Sequence, residues 1–205
     1  MNSRLTTACL LACLAAASVS AAPETFDFKD PKGVNNVVFR LDAPLEAVNG
    51  VASGISGTVM FDPENPGATT GKIVVTSSSL HVANSMQQGH MQGAQWLDVA
   101  QFPQITFEAK SLANVKTDGD KTTADVTGTF TLKGVSKDIT APITMTYLKD
   151  KLSQRMPGKN GDLLVIRSTF TIKRSDFNIM PGQMEDKVAD EITLTLSIAG
   201  SAAKP

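Results

Sequence analysis

A period of two restricts this chain more than any other feature. Runs in which every second residue is apolar recur along its 205 residues. Val37, Phe39 and Leu41 alternate with Val38, Arg40 and Asp42, and Phe130 and Leu132 with Thr129, Thr131 and Lys133. Ile139, Ile143, Met145 and Tyr147 alternate with threonines, as do Ile166, Phe170 and Ile172 with Arg167, Thr169, Thr171 and Lys173. The cleanest run sets Ile192, Leu194, Leu196 and Ile198 against Thr193, Thr195 and Ser197. A pleated strand sends successive side chains to opposite faces, so each run predicts an antiparallel strand with one dry and one wet face. Threonine suits the wet face because it is β-branched yet polar.

Turn-forming clusters separate the runs, among them Asp62-Pro63-Glu64-Asn65-Pro66-Gly67, Asp118-Gly119-Asp120 and Pro157-Gly158-Lys159-Asn160-Gly161. Together they predict strands over 25–29, 35–43, 47–61, 71–79, 103–116, 121–133, 136–149 and 163–174, with 190–199 as a ninth. Long strands on short connections suit an all-β fold that closes into an eight-stranded antiparallel barrel, since closure removes exposed edges. Only residues 81–102 break the alternation. There Asn84 is a candidate N-cap with Gln87 three positions on, Gly93 is a stop, and Met86 and His90 share a helix face. This stretch is expected to be a helical insert that serves as a plug or lid.

The first 21 residues carry one cation, Arg4, then a small-apolar run from Ala8 to Ala17 and a small-residue end. That is the pattern of a cleaved secretory signal, which leaves residues 22–205 as one domain in the periplasm or outside the cell. Both cysteines, Cys9 and Cys13, fall in the signal. Disulfide scaffolds, thiol catalysis and cysteine-ligated metals are thereby excluded from the mature chain. Loss of Arg4 takes the formal net charge from −1 to −2, which offers no footprint for nucleic acid. No second apolar run is long enough for stable membrane insertion.

Signs of catalysis are missing. The two histidines, His81 and His90, form no H-E-x-x-H motif. Gly54-Ile55-Ser56-Gly57 lacks the spacer and context of a nucleophile elbow, and no phosphate-cradling loop occurs. Carboxylates such as Asp62, Glu64, Asp118 and Asp120 sit in turns. The chain therefore reads as a binding protein without a cofactor, not an enzyme. Two alternatives stand beside a barrel that holds a small ligand. Met86, His90 and Met91, with Met180 and Met184, offer soft ligands for copper(I). A barrel filled by its own side chains would instead make a ligand-free, stress-related structural protein. Aromatics make up only 5% of residues, and Gly57, Ala141 and Ser168 fall at interior parity, so a cavity is favoured over a solid core.

Several blocks carry more than periodicity: Gly54-Ile55-Ser56-Gly57-Thr58-Val59-Met60-Phe61-Asp62, His90-Met91 with Gly93 and Trp96-Leu97-Asp98, and Phe102-Pro103-Gln104-Ile105-Thr106-Phe107. Val126 to Lys137 and Arg174-Ser175-Asp176-Phe177 follow. In this order and spacing, over about residues 25–199, the chain resembles the YceI-like family of secreted, polyisoprenoid-binding proteins. It departs at Gln87-Gln88-Gly89, where family members often carry an Arg-Asp pair, and at Asn178, where Gly is common. Asn tolerates the left-handed conformation, so that turn is expected to survive.

The resemblance implies a lipocalin-like barrel that holds a long isoprenoid or similar amphiphilic lipid, without catalysis. On that reading inward Phe39, Leu41, Val59, Ile105, Phe107, Phe130, Leu132, Met145 and Ile172 line a tube around the hydrocarbon chain. Met86, His90, Met91 and Trp96 close one mouth. Arg174 shares the interior parity of Phe170 and Ile172 and is expected either to meet a polar ligand end or to pair with Asp176. The pairing is favoured because carboxylate partners for arginine are commoner than ligand anions.

Overall fold

A computed structural model describes residues 23–204, and the signal read over residues 1–21 lies outside them. Eleven strands form one antiparallel sheet: β1 (Glu24–Asp27), β2 (Asn36–Asp42), β3 (Ala47–Ala52), β4 (Ile55–Phe61), β5 (Thr70–Thr76), β6 (Leu80–Val82), β7 (Gln104–Asp118), β8 (Lys121–Leu132), β9 (Val135–Leu148), β10 (Gly161–Lys173) and β11 (Glu191–Ala203). Two helices, α1 (Ser85–Gln92) and α2 (Leu152–Arg155), interrupt it. Eight strands close a ring in the order β1-β4-β5-β7-β8-β9-β10-β11, and β11 returns to β1 at Asp27 and Ser201.

The remaining strands belong to the same wall. β2 lies on the edge of β11 along Thr193–Ser197, beside the point where β1 meets it, and β3 and β6 follow outward from β2. The expected strand 47–61 is in fact two, β3 and β4, bent at Ser53-Gly54. Likewise 71–79 ends at Thr76, turns once as a 3-10 helix at Ser77–Ser79, and resumes as β6. The insert therefore starts later than residue 81, with α1 as its helix. The short helix α2 is not announced by the alternation; it buries Leu152.

Two gaps in the backbone ladder are closed by side-chain amides. Between its partners β2 and β1, β11 presents the N–H and C=O of Ala199. Asn35, 2% exposed, takes both: its Oδ1 accepts from Ala199 N at 2.9 Å and its Nδ2 donates to Ala199 O at 3.1 Å. The same Nδ2 donates to Phe28 O at 3.2 Å, and Arg155 Nη2 donates to Asn35 Oδ1 at 3.0 Å. The second gap lies where β5 and β7 part beyond Thr76 and Gln104, which leaves β6 at the sheet edge. Here Gln88 of α1 acts as the missing strand: its Oε1 accepts from Val82 N at 2.8 Å and its Nε2 donates to Leu80 O at 2.7 Å. Asn84 caps the helix as expected, accepting from Met86 N at 3.0 Å and Gln87 N at 3.1 Å.

The interior is solid at one end only. Phe26, Phe28, Ile55, Val59, Phe61, Met145, Leu164, Ile166 and Ile198 pack as one cluster across the β1 end. Phe26, Phe61 and Tyr147 meet there edge to face or tilted, with centroids 5.8 to 6.4 Å apart. Beneath them lies fully buried Asp162. It accepts from Tyr147 Oη at 2.5 Å, from Asp150 N at 2.7 Å and from Lys204 Nζ at 2.8 Å. Burial alone would raise the Asp162 pKa, but these donors outweigh it and hold the carboxyl at about 2. Glu24 stands beside it with a buried Oε2 that has no hydrogen-bond partner. Burial, then the Asp162 charge, pushes the Glu24 pKa up.

Two outcomes follow for stability. Asn35→Ala leaves the polar groups of Ala199 and the Phe28 carbonyl unmatched in a buried seam, a loss expected to be about 2–4 kcal/mol in urea denaturation. The two carboxyls have opposite linkage. Asp162, depressed, contributes stability that is complete above the ordinary value of 3.8 and is lost as pH falls toward about 2. Glu24, raised, contributes fully below its ordinary 4.5 and loses that contribution as pH rises through its folded value. Glu24→Gln is therefore expected to raise the Tm at about pH 8 and to leave it nearly unchanged at about pH 4, measured by thermal melts across pH.

Candidate ligand cavity

The other half of the barrel is hollow. A cavity of about 920 Å³ runs from the packed end to the side where α1 lies. One wall comes from the cluster around Phe130, Leu132, Ile172, Phe177 and Ile179; the opposite wall comes from Phe39, Leu41 and Val82. Ile192 and Leu194 of β11 join the two. The floor is set by Val37, Ile73, Val75, Ile143 and Leu196, which rest on the solid cluster and also face the cavity. Inward-facing Ile73, Val75, Ile105, Phe107, Phe170 and Leu194 stay only half-buried, which a filled core would not allow.

Two close approaches keep the space open. The ring of Phe39 lies over Gly50 on β3, so that a Cβ there would stand 2.1 Å from Phe39 Cζ. Phe107 lies over Gly128 on β8 in the same way, at 2.6 Å. Both rings thus fold back onto the wall instead of projecting across the lumen. The small side chains of Ala141 and Ser168 add depth, and the Ser168 hydroxyl donates to Pro142 O at 2.7 Å.

Of the residues read from sequence as a lipid site, Phe39, Leu41, Ile105, Phe107, Phe130, Leu132 and Ile172 border this cavity, as do Met86, His90, Trp96 and Arg174. Val59 and Met145 do not. They share the inward parity but lie deeper, in the solid cluster, at 5% and 1% exposure. Parity tells which face a residue takes, not how far along the barrel it sits. Much of the lining lies outside that set, notably Val126, Phe170, Val188, Ile192 and Leu194. Their signal was the same alternation; Val188 alone lay in a stretch without pattern.

The mouth is framed by α1 with the turns after it and by the segment 178–190. No residue of α1 is buried, and Met86 is 71% exposed. The helix is tied down instead by Gln88 and by Gln92 Nε2, which donates to Ser78 O at 3.2 Å. Arg174 organises the other side. It is 1% exposed and has no carboxylate partner, so the expected pairing with Asp176 is not formed. Its guanidinium donates to five backbone carbonyls: Ala189 at 3.2 Å, Ile179 at 2.8 Å, Gln183 at 2.5 Å, Val188 at 3.1 Å, and Met180. Trp96 covers its face at 5.7 Å and so joins the two sides of the mouth. The preceding turn closes through Asn178 in the left-handed conformation, φ 55°, as its side chain permits. Among the described residues no three His, Cys, Asp or Glu side chains gather to hold a metal; Met86, His90 and Met91, weighed as copper ligands, all border the cavity.

Comparison with known proteins agrees with this architecture. "Protein YceI" of Salmonella arizonae is 30% identical over 155 residues, which cover 76% of this chain and 74% of that protein. The crystal structure of Burkholderia cenocepacia BcnA superposes with a TM-score of 0.65 at 24% identity, over 80% of this chain and 95% of the other. A polyisoprenoid binding domain from Saccharophagus degradans, implicated in plant cell wall breakdown, gives 0.62 at 12% identity, over 88% of this chain and 99% of its own. The family model for the YceI-like domain matches residues 30–199, so the chain belongs to the YceI-like family.

Proposed function

We propose that this protein is a periplasmic carrier that holds a long-chain isoprenoid or similar amphiphilic lipid inside its barrel, and that it carries out no catalysis. The observation that carries this reading is the cavity of about 920 Å³, walled by aliphatic and aromatic side chains and open to water at one end. Apolar walls of this extent are costly to leave wet, and a hydrocarbon chain removes that cost. At about 0.8 kcal/mol per buried carbon, each isoprene unit contributes up to about 4 kcal/mol. Ordering of the flexible chain offsets much of it, which leaves binding that is tight yet exchangeable. The Saccharophagus domain, named for polyisoprenoid binding, has the same barrel.

The periplasmic placement rests on the signal pattern of residues 1–21. Among the described residues no helix is long and apolar enough to cross a membrane. The outer face of the barrel bears Thr127, Thr129, Asp138, Thr140, Thr169 and Thr195, hydrogen-bonded in pairs across strands, where a membrane barrel presents an apolar band.

Trp96, the single tryptophan, borders the cavity and so reports its occupancy directly. Uptake of a dansyl-labelled prenyl alcohol is expected to quench Trp96 fluorescence by energy transfer. Ala141→Phe, which fills the floor, is expected to weaken uptake by about tenfold or more. Met145→Leu, in the solid cluster, leaves uptake as it was. Equal uptake by the Ala141→Phe protein would overturn the reading.

A further inference from the structure

The reading of the cavity as a lipid site leaves the chemistry of the lipid open, and the wall itself restricts it. We infer that the ligand is an uncharged apolar chain of about thirty carbons that enters tail first. This rests on the lipid-carrier reading and adds head-group charge and length to it.

The absence of an uncommitted cation inside, among the described residues, decides the charge. Arg174 is the one cation buried in the wall among the described residues. A guanidinium has five N–H groups, and those of Arg174 are engaged by the carbonyls of residues 179, 180, 183, 188 and 189. Its face is covered by Trp96. A phosphate or carboxylate would have to break the carbonyl set that shapes the 178–190 segment. Deeper in, the polar side chains on the wall are Thr106 and Ser168, and the Ser168 hydroxyl is already given to Pro142 O. An anion moved into such a wall loses its water and gains no partner. At the mouth, exposed Glu46 and Lys187 oppose each other in charge, beside Gln87, His90 and Gln95. That rim accommodates a neutral polar end, such as a hydroxyl or a carbonyl, without favouring either sign. The polar groups cluster at the open side and the floor is aliphatic, so the tail goes in first.

Volume decides the length. Apolar groups the size of a methylene occupy roughly the volume of a water in the liquid, about 30 Å³. The 920 Å³ cavity therefore holds about thirty of them, or six isoprene units. Shorter chains leave part of the wall wet. Longer ones extend past the mouth into water and gain nothing further.

The test is a series of prenyl alcohols delivered from cyclodextrin and followed by Trp96 fluorescence. Farnesol, geranylgeraniol, hexaprenol and solanesol sample the length, and geranylgeranyl diphosphate is compared with geranylgeraniol for charge. Affinity is expected to rise about tenfold or more from farnesol to hexaprenol and to change less than about threefold from hexaprenol to solanesol. The diphosphate is expected to bind no more tightly than its alcohol. A diphosphate bound about tenfold more tightly, with that advantage lost in salt, overturns the charge assignment while leaving the lipid reading intact. Affinity that still climbs from hexaprenol to solanesol overturns the length. Silence from every alcohol and from the diphosphate overturns the lipid reading itself, and this inference with it.

Discussion

The barrel depends on the satisfaction of backbone groups at its seams. A closed sheet needs every strand edge matched, yet here β1 and β2 leave Ala199 unpaired between them and the wall opens past β6. Single amide side chains stand in for strand residues at both places, because a side-chain amide presents an N–H and a C=O side by side, as a strand residue does along its edge. Asn35 closes the first seam and, through Arg155, ties α2 to it. Arg155 also reaches Asp30 at 3.3 Å, whose carboxylate accepts from the N–H of Val34 and Asn35. Gln88 closes the second seam and in doing so fixes α1 over the cavity. The first stand-in seals the solid end, and the second holds α1 at the mouth of the cavity.

The division into solid and hollow halves has a physical cause in where large side chains are placed. Phe26, Phe28, Phe61 and Tyr147 converge on the β1 end and fill it, with the Asp162 network beneath. At the other end Phe39 and Phe107 are as large, but glycines on neighbouring strands let their rings lie flat on the wall. The same residue type fills one half and lines the other. A buried arginine then shapes the mouth with no counter-charge, its donors spread over five carbonyls, which is how an isolated cation survives away from water.

Much of this was legible in the sequence. Alternation of Ile166, Phe170 and Ile172, or of Ile192, Leu194 and Leu196, marks the inward face because strand geometry enforces it over any length. The Asn84 cap and the left-handed Asn178 were readable because each depends on local chemistry. Depth was not readable: Val59 and Met145 carry the same parity as Leu41 and Phe107 but lie in the packed end, since depth depends on register and shear across the whole sheet. Asn35 and Gln88 look like ordinary polar residues, and only the closure of the ring gives them their roles. Arg174 was expected beside Asp176, yet its partners come from carbonyls up to fifteen residues away, brought close by a loop with no periodic pattern.

If the hollow half is built to be filled by lipid, the protein is recovered from the cell with lipid inside it. Native mass spectrometry of the protein, purified without detergent from the cells that make it and followed by organic extraction, tests this most directly. The expected result is a stoichiometric adduct that extraction identifies as an isoprenoid-type lipid. A bare protein mass that stays bare when prenyl lipids are added would contradict it.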